Sequence, residues 1–239
     1  MEKYVLVTGA AKRIGSVISQ QLAAEGWSVL IHYNSSDKDA LKLAAQLKEA
    51  YPRQEFPTMQ CDLSSTKEVL NLFQNTPVKN MKLRALINNA SIFTPGSITD
   101  ITPDFLAEQM GVNFEAPLFL MQTFKKHFGQ GSIINMLDTN VIKNIETHAA
   151  YLLAKKSLDA ITKMAALAWA PAIRVNGIAP GPVLPPPNQD QKHLEKVIAN
   201  TPLKRQVGTD DIVQTVSFLL NNPSITGQII FCDSGAHLK

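Results

Sequence analysis

Long apolar runs are missing from this 239-residue sequence. No stretch approaches the roughly 20 consecutive apolar residues of a membrane-spanning helix, which argues against a bilayer protein. Cysteine is nearly absent too. Cys61 and Cys232 stand far apart in strand-like contexts, TMQCDL and IIFCDSG, without metal-ligand spacing. They read as buried free thiols in a reducing compartment rather than as a disulfide or a metal site. Strong charge of either sign is lacking: 23 Lys and Arg against 20 Asp and Glu leave a net charge of +3. The longest basic groupings are pairs, Lys12-Arg13 and Lys204-Arg205, which read as solvated surface and not as a nucleic-acid-binding stripe. Met1 leads directly into YVLVTGA, too short for a signal-peptide core, so a cytoplasmic protein is expected. Internal repeats and low-complexity segments are absent. What remains, 45% hydrophobic and 18% charged residues, is ordinary globular material for one domain over residues 1–239.

Short β-branched apolar runs alternate with stretches of helical period. Residues 4–8, 28–32, 56–60, 84–88, 132–136, 173–178 and 228–232 read as strands, apolar on both faces. Between them, residues 14–25, 37–51, 65–73, 103–128, 149–170 and 209–220 read as helices. This pattern predicts a doubly wound, Rossmann-type α/β fold: a seven-stranded parallel sheet with helices on both faces. The irregular stretch from Gly181 to about His193, GPVLPPPNQDQKH, carries three consecutive prolines that forbid helix and sheet ladder alike. It reads as a loop, either a lid over a site or a rigid connector.

Two constellations carry chemistry. The first is TGAAKRIG, Thr8 to Gly15, where a strand, a glycine turn and a helix start follow one another. Unpaired N–H groups and the positive end of a helix dipole make such a turn an anion site, suited to a dinucleotide pyrophosphate. Arg13 stands where the commonest version of this turn carries glycine. The second strand is followed by Asn34, Ser35 and Ser36, with no carboxylate before Asp37 to reject a ribose 2′-phosphate. Arg13 can supply a charge-assisted contact to that phosphate, so NADPH is the expected cofactor. The second constellation is Tyr151 with Lys155 four residues on, sharing one helix face, and Asp138 at the end of the strand SIINM. The ammonium beside the phenol is expected to lower the tyrosine pKa and make it a general acid. Tyr-x-x-x-Lys pairs also arise by chance, and Asp138 reads alternatively as a cap of the turn after SIINM. Asn113, polar in an apolar helical pattern, reads as a kink or a satisfied core amide.

Taken together, TGAAKRIG, CDL at Cys61 to Leu63, NNAS at Asn88 to Ser91, Asn113, YLLAK at Tyr151 to Lys155 and APGPV at Ala179 to Val183 resemble the ordered motifs of the short-chain dehydrogenase/reductase family. Arg13, Asp138 in place of the usual catalytic serine, and NNASIF with Phe93 resemble the pteridine reductases within it.

The resemblance implies a role for each matching position. Gly9, Arg13, Ile14 and Gly15 hold the pyrophosphate and adenosine side. Asn34, Ser35 and Ser36 meet the 2′-phosphate, Asp62 and Leu63 the adenine. Asn89, Ala90 and Ser91, with Pro180 and Gly181, line the cofactor. Lys155 binds the nicotinamide ribose, positioned by Asn113, and Asp138, Tyr151, Lys155 and Asn113 form the catalytic set. Ser91, Phe93, Asp138 and Tyr151 meet a pterin, with Phe93 stacked on its ring. The pteridine reductases carry arginine where this chain has Ser35.

The expected activity is hydride transfer from NADPH to a pterin, without a metal. A carbonyl reductase acting on a ketone or 3-oxoacyl thioester is the alternative, and a non-catalytic NADPH-binding regulator a second. The helical stretch 149–170, apolar on several sides through Leu158, Ile161, Ala165, Leu167 and Trp169, packs under a neighbouring helix or against another subunit. The resemblance implies a homotetramer.

Overall fold

The computed structural model describes residues 3–74, 81–184 and 191–239. Its strands are β1 (Tyr4–Val7), β2 (Ser28–Tyr33), β3 (Thr58–Gln60), β4 (Leu83–Asn88), β5 (Gly131–Met136), β6 (Ile173–Pro180) and β7 (Ile229–Cys232). All pair in parallel, in the order β3-β2-β1-β4-β5-β6-β7. The helices are α1 (Arg13–Ala24), α2 (Asp37–Ala50), α3 (Thr66–Asn71), α4 (Pro103–Met110), α5 (Ala116–Phe128), α6 (Ala149–Trp169), α7 (Gln191–Ala199) and α8 (Thr209–Asn221).

Because side chains alternate along a strand, each run of apolar residues feeds two cores. Val5, Val7, Val29, Ile31, Ala85 and Ile87 face one layer with α1, α2 and α8. Leu6, Leu30, Leu86 and Ile133 face the other, with α3, α5 and α6. A polar thread runs through the second layer: Asn88 Nδ2 donates to Asn135 Oδ1 at 2.8 Å, and Asn135 Nδ2 donates to Thr162 Oγ1 at 2.8 Å. This ties β4 to β5 and β5 to α6 without leaving those donors unpaired in the interior.

The order of travel places the site. The chain steps outward through β1, β2 and β3, then returns to lay β4 on the other side of β1. The carboxyl ends of β1 and β4 therefore diverge into opposite connections and leave a crevice between them.

Two sequence expectations change, and a third is refined. The helix expected over residues 103–128 is interrupted by a π-helical turn, Gly111–Glu115, centred on Asn113, so the polar residue does mark a break in the helix. The irregular loop expected to run to about residue 193 gives way to α7 at Gln191. Residues 185–190, with the three prolines, lie outside the described residues. Finally, α6 turns Leu158 and Ala165 inward, where they are 1% and 5% exposed, while Leu167 at 85% faces outward with Met164 and Leu153. Ile161 and Trp169 are half-buried against the core. No described helix is long and apolar enough to cross a membrane, and Cys61 and Cys232 are free thiols.

Candidate active site

The glycine turn after β1 is held from three sides. Gly9 has φ of +60°, the left-handed conformation that favours glycine, and its N–H donates to His32 Nδ1 at 3.1 Å. The other imidazole nitrogen, Nε2, lies 3.1 Å from the Cys61 carbonyl oxygen. A carbonyl only accepts and an N–H only donates, so His32 is neutral with its proton on Nε2. Burial pushes its pKa down to about 4, partly opposed by the bond to Cys61. Just past β4, Asn89 Nδ2 donates to the carbonyls of Thr8 at 2.9 Å and Gly9 at 3.3 Å. The Thr8 hydroxyl accepts from the N–H groups of Asn89 and Ala90, each at 2.9 Å. Thr8 and His32 were not among the residues expected from sequence, since a threonine ending a strand and a histidine inside one read as ordinary core.

At Gly15 a Cβ would lie 2.1 Å from the Gly9 carbonyl oxygen and 2.7 Å from Asn89 Nδ2. Only glycine lets α1 approach the turn this closely. Arg13, the first residue of α1, has φ of +52°. That conformation costs an L-residue about 1–2 kcal/mol and explains why glycine is the commoner occupant. The first turn of α1 carries no acidic residue and its N-cap residue Lys12 makes no side-chain cap. Lys12 instead pairs with Asp39 at 2.9 Å on the exposed surface.

Across the crevice, Asp138 follows β5 and its two oxygens do different work. Oδ1 accepts from the Asn140 N–H at 2.8 Å and Asn140 Nδ2 at 2.9 Å, capping the turn. Oδ2 accepts the Tyr151 hydroxyl at 3.0 Å. Asp138 is thus at once the cap of the turn and the acceptor for the Tyr151 hydroxyl. Lys155, 2% exposed, donates from Nζ to the Met136 carbonyl at 2.7 Å. The expected lowering of the tyrosine pKa is overturned. Burial raises it well above the usual tyrosine range, Asp138 adds to the rise through its charge and hydrogen bond, and Ser91 only partly offsets it. The ammonium is directed to a main-chain carbonyl and lies 5.7 Å from the Tyr151 ring centre. Burial also lowers the Lys155 pKa to about 8, opposed by Asp138.

Asn113, wholly buried, clasps the loop after β4. Its Oδ1 accepts from Ser91 Oγ at 2.7 Å and the Ile92 N–H at 3.1 Å, while its Nδ2 donates to the Ile92 carbonyl at 3.0 Å. Its side chain therefore positions Ser91 rather than reaching Lys155 directly. Phe93, two residues on, stacks on His148 and meets the Tyr151 ring edge-on.

The glycine turn, Asp138, Tyr151, Lys155, Ser91 and Phe93 border one cleft of about 840 Å³, with Asn113 buried behind its wall. Of the residues singled out in the sequence, Gly9, Arg13, Ile14, Gly15, Asn89, Ala90, Ser91, Phe93, Asp138, Tyr151, Lys155, Pro180 and Gly181 line it. Asn34, Ser35, Ser36, Asp62 and Leu63 do not. Asn34 and Ser35 are exposed just past β2, Asp62 accepts from Ser64 at 2.9 and 2.8 Å, and Leu63 is packed in the core. Leu194 and Val197 of α7 also line the cleft, a contribution that only a helix in this place reveals.

A doubly wound parallel sheet, a glycine turn against a helix start, and an Asp-Tyr-Lys set on the facing strand and helix define a Rossmann-type oxidoreductase. The chain belongs to the short-chain dehydrogenase/reductase family: the family model described as "Enoyl-(Acyl carrier protein) reductase" matches residues 9–237. Pteridine reductase 1 of Leishmania tarentolae is 31% identical, with 98% of this chain and 96% of that protein covered. The granaticin polyketide synthase putative ketoacyl reductase 2 of Streptomyces violaceoruber is 28% identical over 98% of this chain and 95% of its own. Among solved structures, FolM alternative dihydrofolate reductase 1 from Brucella suis, in complex with NADP, superimposes with a TM-score of 0.93 at 33% identity, covering 98% of this chain and 95% of that one.

Proposed function

We propose that the protein reduces a pterin with NADPH, and the observation that carries this reading is the hydrogen bond from Tyr151 to the carboxylate of Asp138. The relatives named pteridine reductase and alternative dihydrofolate reductase support it. The chain fits the cofactor: a Cβ at Gly15 would fill the turn, the first turn of α1 carries no acidic residue, and Arg13 borders the cleft. Gly9, Arg13, Ile14 and Gly15 would hold the pyrophosphate and adenosine side, with Asn34, Ser35 and Ser36 near the 2′-phosphate and Asp62 and Leu63 toward the adenine. Asn89, Ala90, Ser91, Pro180, Gly181 and Lys155 would border the nicotinamide half. When bound, the dinucleotide supplies the hydride.

The protein's own residues supply the proton and the charge environment. Asp138 fixes the Tyr151 O–H by accepting from it, keeping the phenol protonated and aimed. A carboxylate at this point opposes the developing oxyanion of a ketone. Beside a ring nitrogen that must gain a proton, the same charge is favourable, and Tyr151 and Asp138 together form a relay to it. Ser91 and Phe93 meet the polar edge and the face of the ring. Lys155 holds positive charge beneath the site while it remains protonated.

Carbonyl reduction is the second reading, favoured by the ketoacyl reductase relative and disfavoured by Asp138. A non-catalytic regulator would need no Tyr-Asp-Lys set. The unpaired thiols suit a reducing, cytoplasmic setting, and the outward apolar side of α6 suits assembly into a homotetramer. Steady-state NADPH oxidation with a dihydropterin, a 3-oxoacyl thioester and simple ketones tests the reading: turnover is expected with the pterin, and turnover with the thioester alone refutes it.

A further inference from the structure

Phe93 sits in the irregular stretch after β4, ahead of the short 3-10 turn Ile98–Asp100 that leads to α4. Asn113 clasps that stretch at Ser91 and Ile92, and the Gly96 carbonyl accepts the Ala149 N–H at 3.0 Å. Between these two ties the Phe93 ring, 40% exposed, makes two aromatic contacts. The His148 imidazole lies 4.2 Å from it, centre to centre, with an interplanar angle of 10°. Tyr151 meets the ring edge-on at 4.8 Å and 86°. Phe93 and Tyr151 line the cleft, and His148 does not. One face of the phenyl ring is therefore backed by the imidazole, while the ring itself still borders the cleft.

His148 is itself held by unusual backbone. It precedes α6 with φ of +56° and ψ of +34°, a left-handed conformation. Its carbonyl accepts the Leu152 N–H at 2.9 Å, one turn into the helix that carries Tyr151. Burial lowers its pKa, opposed by Asp138, so near pH 7 it stacks as a neutral ring.

We propose that His148 is a positioning residue for substrate: its ring backs Phe93 and sets the plane against which the substrate ring lies, while its backbone starts the helix bearing Tyr151. The proposal rests on the pterin reading given above. Its chemistry is that of a three-layer stack of imidazole, phenyl and substrate ring, in which each aromatic contact contributes modestly and the order of the middle ring matters most.

The test separates ring from backbone. Asparagine tolerates left-handed φ well but has no ring, whereas phenylalanine restores a ring without a titrating nitrogen. In steady-state kinetics with NADPH and a dihydropterin, His148→Asn is expected to raise the KM for pterin about 3- to 10-fold, the loss of one ordered aromatic contact. The KM for NADPH and the thermal midpoint should stay near wild type. His148→Phe should return the pterin KM to within about twofold of wild type, which a merely structural or a titrating role would not produce. A wild-type KM in His148→Asn, or no recovery in a folded, NADPH-binding His148→Phe, overturns the proposal. Phe93→Ala serves as the control. If wild type turns over pterin and Phe93→Ala raises its KM while His148→Asn does not, the proposal alone fails. If wild type does not turn over pterin, the pterin reading fails and takes the proposal with it.

Discussion

His32 joins the glycine turn to the end of β3 through two ring nitrogens of opposite role, and protonation would turn its acceptor nitrogen against the Gly9 N–H. Its folded pKa of about 4 lies below the ordinary value of 6.5. Between those values the unfolded chain binds the extra proton, so stability falls as pH drops from 6.5 to 4 and levels off below. The shift corresponds to roughly 3 kcal/mol over that window. His32→Asn should be less stable at pH 7 and lose less on acidification. Urea unfolding at pH 7, 5.5 and 4 measures this, and equal slopes for the two proteins would show that His32 is not the group responsible. Gly15 makes a sterically sharper case. With 2.1 Å from the new Cβ to the Gly9 oxygen, Gly15→Ala must open the turn. A fluorescence titration should find NADPH affinity reduced by a decade or more, about 1.4 kcal/mol at least, and unchanged affinity would remove the turn from the cofactor site.

At the start of α1, Arg13 combines a strained backbone with a place on the wall of the cleft. Arg13 adopts a conformation suited to glycine, and strain of this kind persists where the side chain is needed. Arg13→Gly is expected to stabilise the fold by about 1 kcal/mol while cutting the preference for NADPH over NADH by about one to two decades, the value of one charged contact. A variant that keeps both its stability and its cofactor preference would contradict this account. Much of the element plan was legible because the strands are apolar on both faces and the helices keep a regular period. The turn glycines, Arg13 and the Asp-Tyr-Lys set were legible because their spacing follows strand ends. Other features were not. Apolar periodicity runs straight through the π-helical turn, so only Asn113 signalled it. In α7 one apolar stripe, Leu194 with Val197 and Ile198, is set among polar residues beside a proline run and does not announce itself. The direction of the Tyr151 shift depends on burial and on the Asp138 oxygen facing it, neither of which spacing along one helix contains. Thr8, His32 and His148 act across elements far apart in sequence, and only the folded sheet brings their partners together.

At the scale of the whole molecule, the outward side of α6 carries Leu153, Met164 and Leu167 at 51%, 63% and 85% exposure. Such a run on a helix already packed on its other side suits contact with a second copy. Sedimentation at micromolar concentration should find an assembly of the size of a tetramer, and Leu167→Glu should shift it to smaller species; a monomer in both would rule out this surface as an interface. The central claim, that a carboxylate in place of a hydroxyl selects a ring nitrogen over a ketone, is tested most directly by comparing wild type with Asp138→Ser. NADPH oxidation is followed with a dihydropterin and with activated ketones, alongside NADPH binding. The account predicts that pterin turnover falls by about two decades or more, NADPH binding stays nearly intact, and any ketone turnover persists or rises. A serine variant with full pterin turnover would contradict it.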